Sequence, residues 1–207
     1  MKFVRFRKKG EAPELKGVYE GVCIRRIFGS FFGSFSLTDE KYAIDEIEFI
    51  PVLYPRTIYC MGKLPYIKSS SSLSASDTLI VRHNPLFCMP RLVGVVKDKG
   101  RFLGSALMLD FFPQDIGAAA STDGYSVIGA LHYGVVEDKD CIFMGQRGEL
   151  RARQMNDTLN ELSALMTLVA GDFICLPFFE TAFEVAKGPI LLSVGEEQLS
   201  VTKVLSL

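Results

Sequence analysis

The sequence predicts an α+β fold that is mostly β. Short segments rich in β-branched and apolar residues recur along the chain, and glycine or charged turns separate them. Helical periodicity is found in one place, after residue 158. With 207 residues and 48% hydrophobic residues, the chain is long enough and apolar enough to bury a substantial core. We predict a small N-terminal β subdomain over residues 1–50 and a core domain over residues 51–207.

The N-terminal part has the alternating pattern of small antiparallel strands. Apolar residues alternate with charged ones near residues 2–6, 17–24 and 42–50. The repeated glycine-phenylalanine segment at 28–35 predicts a loop that packs its rings on a neighbour. Two prolines, Pro51 and Pro55, then mark the boundary, because closely spaced prolines interrupt a regular strand ladder.

The core domain is predicted to consist of short strands and one helix. The serine-rich segment that follows residue 62 lacks the glycine spacing of a phosphate loop, and it predicts a solvent-exposed connection. Thr158 and Glu161 have the spacing of a capping box, and the helix they begin is predicted to end at Gly171. The predicted strands are residues 57–62, 77–82, 91–96, 126–136, 140–145, 172–177, 189–194 and 198–205.

Charge and cysteine usage exclude several classes of protein. The 23 basic and 24 acidic residues give a net charge of −1, so nothing predicts binding to nucleic acid. No apolar run approaches the ~20 residues that cross a bilayer, and we predict a cytoplasmic protein with no membrane contact. The five cysteines are widely spaced and mostly lie among apolar residues, which predicts reduced core thiols and no zinc site.

Five segments, in this order, carry a resemblance to a known family. They are the opening strands near 2–6 and 17–22, the strand at 54–62 that ends on a glycine, the pair Gln114-Asp115, the Gly-Glu segment at 148–154, and residues 168–174 with their Gly-Asp. The chain resembles the fumarylacetoacetate hydrolase family, as a divergent member. The resemblance implies a mixed β-sheet roll with few helices.

The resemblance also implies a divalent cation, Mg²⁺ or Mn²⁺, which family members bind through a Glu-x-Glu pair and an aspartate. Carboxylate oxygens suit such ions, and the metal stabilises negative charge on the substrate. Asp115 falls at the aspartate position, and it is the one predicted metal ligand. The Glu-x-Glu pair is replaced by Met89 and Arg91. A soft thioether and a permanent cation are poor substitutes for two carboxylates.

Other functional positions of the family are also altered. No segment follows Gly62 that matches the family's water-activating His-Glu pair, and the family's lysine falls at Ala120. No catalytic residue can therefore be assigned. We predict Arg153, Asp123 and Phe178 as substrate-binding residues.

Three hypotheses remain open. The first is a pseudoenzyme that binds or regulates without a cofactor, as a homodimer or as the partner of a related chain. The second is a metal-dependent hydrolase, isomerase or decarboxylase that acts on a small keto acid such as an acylpyruvate, with Mg²⁺ or Mn²⁺ bound by Asp115 and by Asp110 or Asp123. The third is a structural or small-molecule-binding protein whose cleft is filled by Phe111, Phe112, Phe178 and Phe179. As an alternative to metal binding, Asp115 is interpreted as a turn cap, and Asp110 and Asp123 as surface or turn residues.

Overall fold

The computed structural model describes residues 1–75, 78–81, 85–98, 100–113, 125–185 and 188–206, with backbone alone for 78–81 and 203–206. Its single described α-helix is α1 (Ala152–Leu165), and two short 3-10 turns lie at Ile44–Glu46 and Ser70–Ser72. The strands are β1 (Lys2–Lys8), β2 (Leu15–Tyr19), β3 (Cys23–Gly29), β4 (Phe35–Ala43), β5 (Ile47–Ile50), β6 (Ile58–Cys60), β7 (Tyr66–Lys68), β8 (Leu73–Ser74), β9 (Thr78–Val81), β10 (Leu86–Asp98), β11 (Arg101–Pro113), β12 (Ser126–Ile128), β13 (Leu131–Tyr133), β14 (Lys139–Phe143), β15 (Gln146–Leu150), β16 (Phe173–Pro177), β17 (Phe183–Val185), β18 (Ile190–Val194), β19 (Glu197–Val201) and β20 (Lys203–Ser206).

One large mixed sheet organises the molecule. Its main path runs β4-β3-β2-β1-β13-β11-β10-β16-β6-β7, and β5, β8, β12 and β17 pair at its sides. A second sheet has the order β15-β14-β18-β19, and β20 pairs with β9 in parallel. Most pairs are antiparallel, while β16–β6 and β12–β8 are parallel. The predicted fold class, α+β and mostly β, is confirmed.

The long hairpin of β10 and β11 is the centre of the large sheet. Both strands read as nearly continuous apolar runs because both faces of the sheet are covered. One core cluster, which includes Leu92, Leu107 and Phe111, packs on one side against the second sheet. Another, which includes Val93 and Met108, packs on the N-terminal strands. The hairpin therefore separates two hydrophobic cores.

The N-terminal strands continue the same sheet. β1 pairs with β13 through Lys2 and Phe3, and the fully buried Phe3 ring contacts the rings of Phe31 and Phe35. Phe31 and Phe35 lie in the glycine-phenylalanine segment, and these two rings pack as the sequence predicts, whereas Phe28 in the same segment is 73% exposed. The domain boundary at residue 50 stays a prediction.

The helix begins earlier than the sequence predicts. It starts at Ala152 and ends at Leu165, so Thr158 lies in its interior and donates to the Gln154 carbonyl at 2.9 Å. Its first turn is capped by Asp138, which accepts from the Ala152 N–H at 2.8 Å, and by the Gln154 side chain, which accepts from the Arg151 N–H at 2.8 Å. The cap from Asp138 is distant in sequence, which is why local spacing pointed to Thr158.

Two other local predictions are wrong. The serine-rich connection contains β7 and β8, and Lys68 within it is 1% exposed. The predicted strand 126–136 is divided at Gly129 into β12 and β13, both of which pair with β11.

All five cysteines are free, and four of them are buried. Within the part of the chain that is described, no helix is long and apolar enough to span a membrane.

Candidate functional site

A cavity of about 700 Å³ opens beside the end of β10. The segment after β6, strand β7, the loop after β16 and the start of α1 surround it. Arg91 and Tyr66 line it together with Phe178. The other lining residues are Met61, Gly62, Lys63, Leu64, Met89, Phe112, Glu149, Gln154, Pro177, Phe179, Glu180 and Ala182.

Arg91 belongs to a buried network of charged side chains. Its Nε donates to Asp110 Oδ2 at 2.8 Å, its Nη1 donates to the Met61 carbonyl at 2.7 Å, and its Nη2 donates to the Tyr66 hydroxyl at 3.2 Å. A guanidinium has five N–H donors. Two of them therefore have no partner among the described residues, although Arg91 is only 3% exposed.

Asp110 is the centre of this network. Oδ1 accepts from Lys68 Nζ at 2.5 Å and from Ser126 Oγ at 3.1 Å, while Oδ2 accepts from Arg91 and from the Tyr66 hydroxyl. These four bonds use all the acceptor positions of a carboxylate. Burial opposes ionisation, but the charges of Lys68 and Arg91, with hydrogen bonds from Lys68 and Tyr66, lower the pKa of Asp110 to about 2.

The partners of Asp110 make further hydrogen bonds within the network. Lys68 donates to Asp110, to Ser126 Oγ at 2.7 Å and to the Phe111 carbonyl at 3.4 Å, which uses all three N–H groups of an ammonium. Burial and the Asp110 charge raise the pKa of Tyr66. Burial alone would lower the pKa of Arg91, but Asp110 reverses this and raises it. The network holds two cations and one anion, a net charge of +1.

The strands around β10 bring this network to the cavity. Pro90 lies between the residues that pair with β16 (91–95) and those that pair with β17 (86–88). In that gap the Pro90 carbonyl accepts from the Phe178 N–H at 3.0 Å. A proline can therefore lie in this central strand, and the ladder opens here to let the loop at 178–182 form one side of the cavity.

An apolar wall lies beside the charged floor. Met89 and Phe112 are 8% and 5% exposed, and they pack with Phe179 and Ala182. Phe179 in turn makes an edge contact with Phe183, with ring centroids 4.9 Å apart. The wall is therefore continuous with the hydrophobic core and rigidly supported.

The rim carries mixed charge. Lys63 and Glu180 make no ion pair with any described residue, whereas Glu149 pairs with Arg151 at 2.5 Å. The rim thus contributes no net charge, and Arg91 is the cation nearest the core among the described lining residues.

The predicted site residues have different outcomes. Phe178 is buried and lines the cavity. Arg153 lies in the first turn of α1, where its side chain is 90% exposed and pairs with Asp157 at 3.4 Å, and it does not line the cavity. Asp115 and Asp123 lie outside the described residues, as do Gln114 and Ala120. The roles predicted for Arg153, Asp123, Phe178 and Asp115 stay predictions.

The interpretation of Asp110 as a surface or turn residue is wrong. It is fully buried in β11, within the apolar run at 107–112. An acidic residue in such a run must be paired, and this signal was available in the sequence. Tyr66 and Lys68 were missed because the serines around them suggested an exposed loop.

The described residues do not fit a divalent metal ion. Mg²⁺ and Mn²⁺ need several carboxylate or carbonyl oxygens with free lone pairs. Asp110 has none left, and Arg91 brings a permanent positive charge to this site. Within the described ranges, no group of three or more His, Cys, Asp or Glu side chains could hold a metal.

Comparison with known proteins agrees with this fold. A protein from Mycobacterium abscessus superposes with a TM-score of 0.84 at 17% identity over 100% of both chains. The 2-hydroxyhepta-2,4-diene-1,7-dioate isomerase from Mycobacterium marinum gives 0.80 at 15%, over 100% of this chain and 98% of its own. Maleylpyruvate hydrolase from Sphingobium sp. SYK-6, in complex with manganese(II) and pyruvate, gives 0.77 at 16%, over 100% and 99%. No curated protein matches the sequence.

These structures define the class. The chain has the fold of the fumarylacetoacetate hydrolase family, and the predicted resemblance is confirmed. More particularly, residues 1–51 match the family model described as Rv2993c-like, N-terminal.

Proposed function

We propose that this protein is a pseudoenzyme of the fumarylacetoacetate-hydrolase-like fold that binds a small carboxylate, such as a keto acid, without a divalent metal. One observation carries the proposal. The Arg91 guanidinium lines the cavity at a position where the family has a metal-binding glutamate, and it is locked there by Asp110 and Tyr66.

A fixed guanidinium can attract a carboxylate as a metal ion does. Its planar donors suit a carboxylate, and a charge-assisted hydrogen bond is about twice as strong as a neutral one. Because Arg91 is nearly buried, its attraction for an anion is less screened than it would be in water. Its orientation is set before binding, which lowers the entropy cost of ordering it.

The comparisons support the choice of ligand. The maleylpyruvate hydrolase of similar fold was solved with manganese(II) and pyruvate. In this chain, Arg91 would supply the positive charge for such an anion. Gln154, which also lines the cavity, has an amide group that can donate a further hydrogen bond.

Calorimetry with pyruvate and oxaloacetate, in buffer that contains EDTA, tests the proposal. We expect saturable binding that Arg91→Met weakens at least tenfold. Arg101→Met is the matched control, because Arg101 is exposed and does not line the cavity, and its ion pair among the described residues is with Asp98. Binding that requires Mg²⁺ or Mn²⁺, or turnover of an acylpyruvate, would refute the proposal in favour of the metal-dependent enzyme.

We also propose that the protein pairs with a second copy or with a related chain. Ile142, Met144 and Leu191 are 58%, 56% and 45% exposed, and they line one groove of the second sheet. Met144 has φ 49°, a left-handed conformation that side chains other than glycine and asparagine disfavour. Light scattering after gel filtration tests this: a dimer that Met144→Lys dissociates supports the proposal, and a monomer at all concentrations with no co-purifying related chain refutes it.

A further inference from the structure

We infer that the ligand of this cavity is a monocarboxylate with an aryl or alkyl body: its carboxylate contacts Arg91 and its body lies along the wall of Met89, Phe112 and Phe179. This inference rests on the proposed function and narrows it to a class of ligand. The size of the cavity, its apolar wall and its charge distribution point to it independently.

The cavity is too large for a short keto acid. Its 700 Å³ falls within the range of roughly 300–1,000 Å³ found for pockets that bury drug-sized ligands. Pyruvate has six non-hydrogen atoms, so most of the cavity would stay filled with water. A ligand with a ring or a chain beyond its carboxylate fills that space.

The wall is suited to an apolar body. Met89, Phe112 and Phe179 present thioether and aromatic surface to the cavity. Aromatic rings favour edge or offset contacts with another ring, and methionine adapts to ligands of irregular shape. Water beside this wall gains no hydrogen bonds from it. Replacing that water with hydrocarbon is therefore favourable.

The charges favour one carboxylate rather than two. Arg91 has two N–H groups without a described partner, enough for one carboxylate. At the rim, the positive charge of Lys63 is accompanied by the negative charge of Glu180, and Glu149 is already neutralised by Arg151. Among the described lining residues, a second carboxylate would find only the exposed Lys63 as a further cation, and the negative charge of Glu180 at the same rim opposes it.

A ligand series with a constant keto-acid head tests the inference. Phenylpyruvate, pyruvate and oxaloacetate are titrated by calorimetry in buffer with EDTA. We expect phenylpyruvate to bind at least tenfold more tightly than pyruvate, because only its ring covers the apolar wall. Oxaloacetate is expected to bind no more tightly than pyruvate.

Two variants locate the ring. Ala182→Phe fills the cavity beside the wall and is expected to weaken phenylpyruvate binding at least tenfold more than it weakens pyruvate binding. Phe179→Ala removes part of the wall and is likewise expected to weaken phenylpyruvate binding more than pyruvate binding. Phe28→Ala is the control, because Phe28 is 73% exposed on β3 and away from the cavity. Thermal unfolding shows which variants stay folded, and Ala182→Phe keeps the test valid if Phe179→Ala does not.

The outcomes separate the inference from the proposed function. If pyruvate or oxaloacetate binds as tightly as phenylpyruvate, or if Ala182→Phe weakens all three equally, the ligand class is wrong while metal-free binding of a carboxylate stands. If no compound binds the wild-type protein without metal, the proposed function itself is wrong. If the Ala182→Phe variant loses binding of phenylpyruvate selectively, the inference is supported.

Discussion

Asp110 shows how a buried charge is tolerated in this protein. Its carboxylate accepts four hydrogen bonds from Lys68, Arg91, Tyr66 and Ser126, and it is fully buried. A buried ion pair contributes little net stability compared with an apolar replacement, but removing one member leaves the other charges without compensation. The network is therefore sensitive to change at its centre.

Replacing Asp110 with asparagine tests this sensitivity. The shape is kept, but Lys68 and Arg91 lose their shared counter-charge, and we expect a loss of roughly 3–5 kcal/mol in the free energy of unfolding. Urea unfolding followed by circular dichroism measures it. Asp98→Asn is the control and should change little, because Asp98 is the last residue of β10, its side chain is 40% exposed, and it pairs with the exposed Arg101. Equal effects of the two substitutions would contradict the role of the network.

The pH dependence of stability follows from the same residue. The pKa of Asp110 is lowered from an ordinary value of 3.8 to about 2 in the folded protein. A lowered pKa gives stability that is complete above the unfolded pKa and is lost as pH falls through the folded pKa. We expect Asp110 to contribute about 2 kcal/mol above pH 4 and to lose this between pH 4 and pH 2. Urea unfolding at a series of pH values should show a flatter curve for Asp110→Asn in that window. Parallel curves would exclude Asp110 as the source.

At the scale of elements, the β10–β11 hairpin depends on close backbone packing. A methyl group on Gly104 would lie 2.0 Å from the carbonyl oxygen of His132 on β13, and backbone atoms there cannot easily move. Gly94 is similarly enclosed by the side chains of Phe102 and Met155. Gly104 therefore sets the distance between β11 and β13, where the N-terminal strands join the sheet, while Gly94 leaves room for the Phe102 and Met155 side chains.

Gly104→Ala is expected to destabilise the protein by about 1–3 kcal/mol, because the added methyl group forces β13 away from β11. Thermal or urea unfolding measures the loss. Gly33→Ala is the matched control, since its methyl group would meet nothing closer than Ser30 Cβ at 3.9 Å and its backbone is not left-handed. If Gly104→Ala leaves the free energy of unfolding unchanged, β13 can shift away from β11 at little cost and the prediction is wrong.

Over the whole molecule, the N-terminal strands and the central hairpin share one core. Phe3, Val18 and Phe31 pack in the same cluster as Val93 and Phe173. Elements that share a core and a sheet usually unfold together. A separate subdomain over residues 1–50 would unfold by itself, whereas a shared core predicts that these strands unfold together with the hairpin.

We expect a single cooperative transition. Hydrogen exchange measured by mass spectrometry in increasing urea should give the same opening free energy for peptides from β1 and from β11. Circular dichroism and tyrosine fluorescence should give coincident transitions. Release of β1–β5 at lower urea than β10–β11 would instead support independent subdomains.

The sequence predicted the fold class because strand patterns are local, while the substrate-binding role predicted for Phe178 stays a prediction. The charged network could not be predicted in the same way. Lys68 and Asp110 are 42 residues apart, and only the folding of the large sheet, which has β7 at the end of its path, brings Nζ and Oδ1 to 2.5 Å. The helix start was misplaced for a similar reason, because its cap, Asp138, lies 14 residues before Ala152. Both the charged network and the helix start depend on contacts between segments that are distant in sequence, and local spacing does not predict such contacts.

The hydrogen bonding of Lys68 determines whether this lysine can form a covalent bond with a keto acid. A lysine forms a Schiff base with a keto acid only as a free amine, with its lone pair available. All three N–H groups of the Lys68 ammonium are donated to protein acceptors, and its side chain is 0% exposed. Borohydride reduction in the presence of pyruvate should therefore leave Lys68 unmodified, as peptide mass mapping can show. A keto acid bound as proposed would therefore form no Schiff base with Lys68.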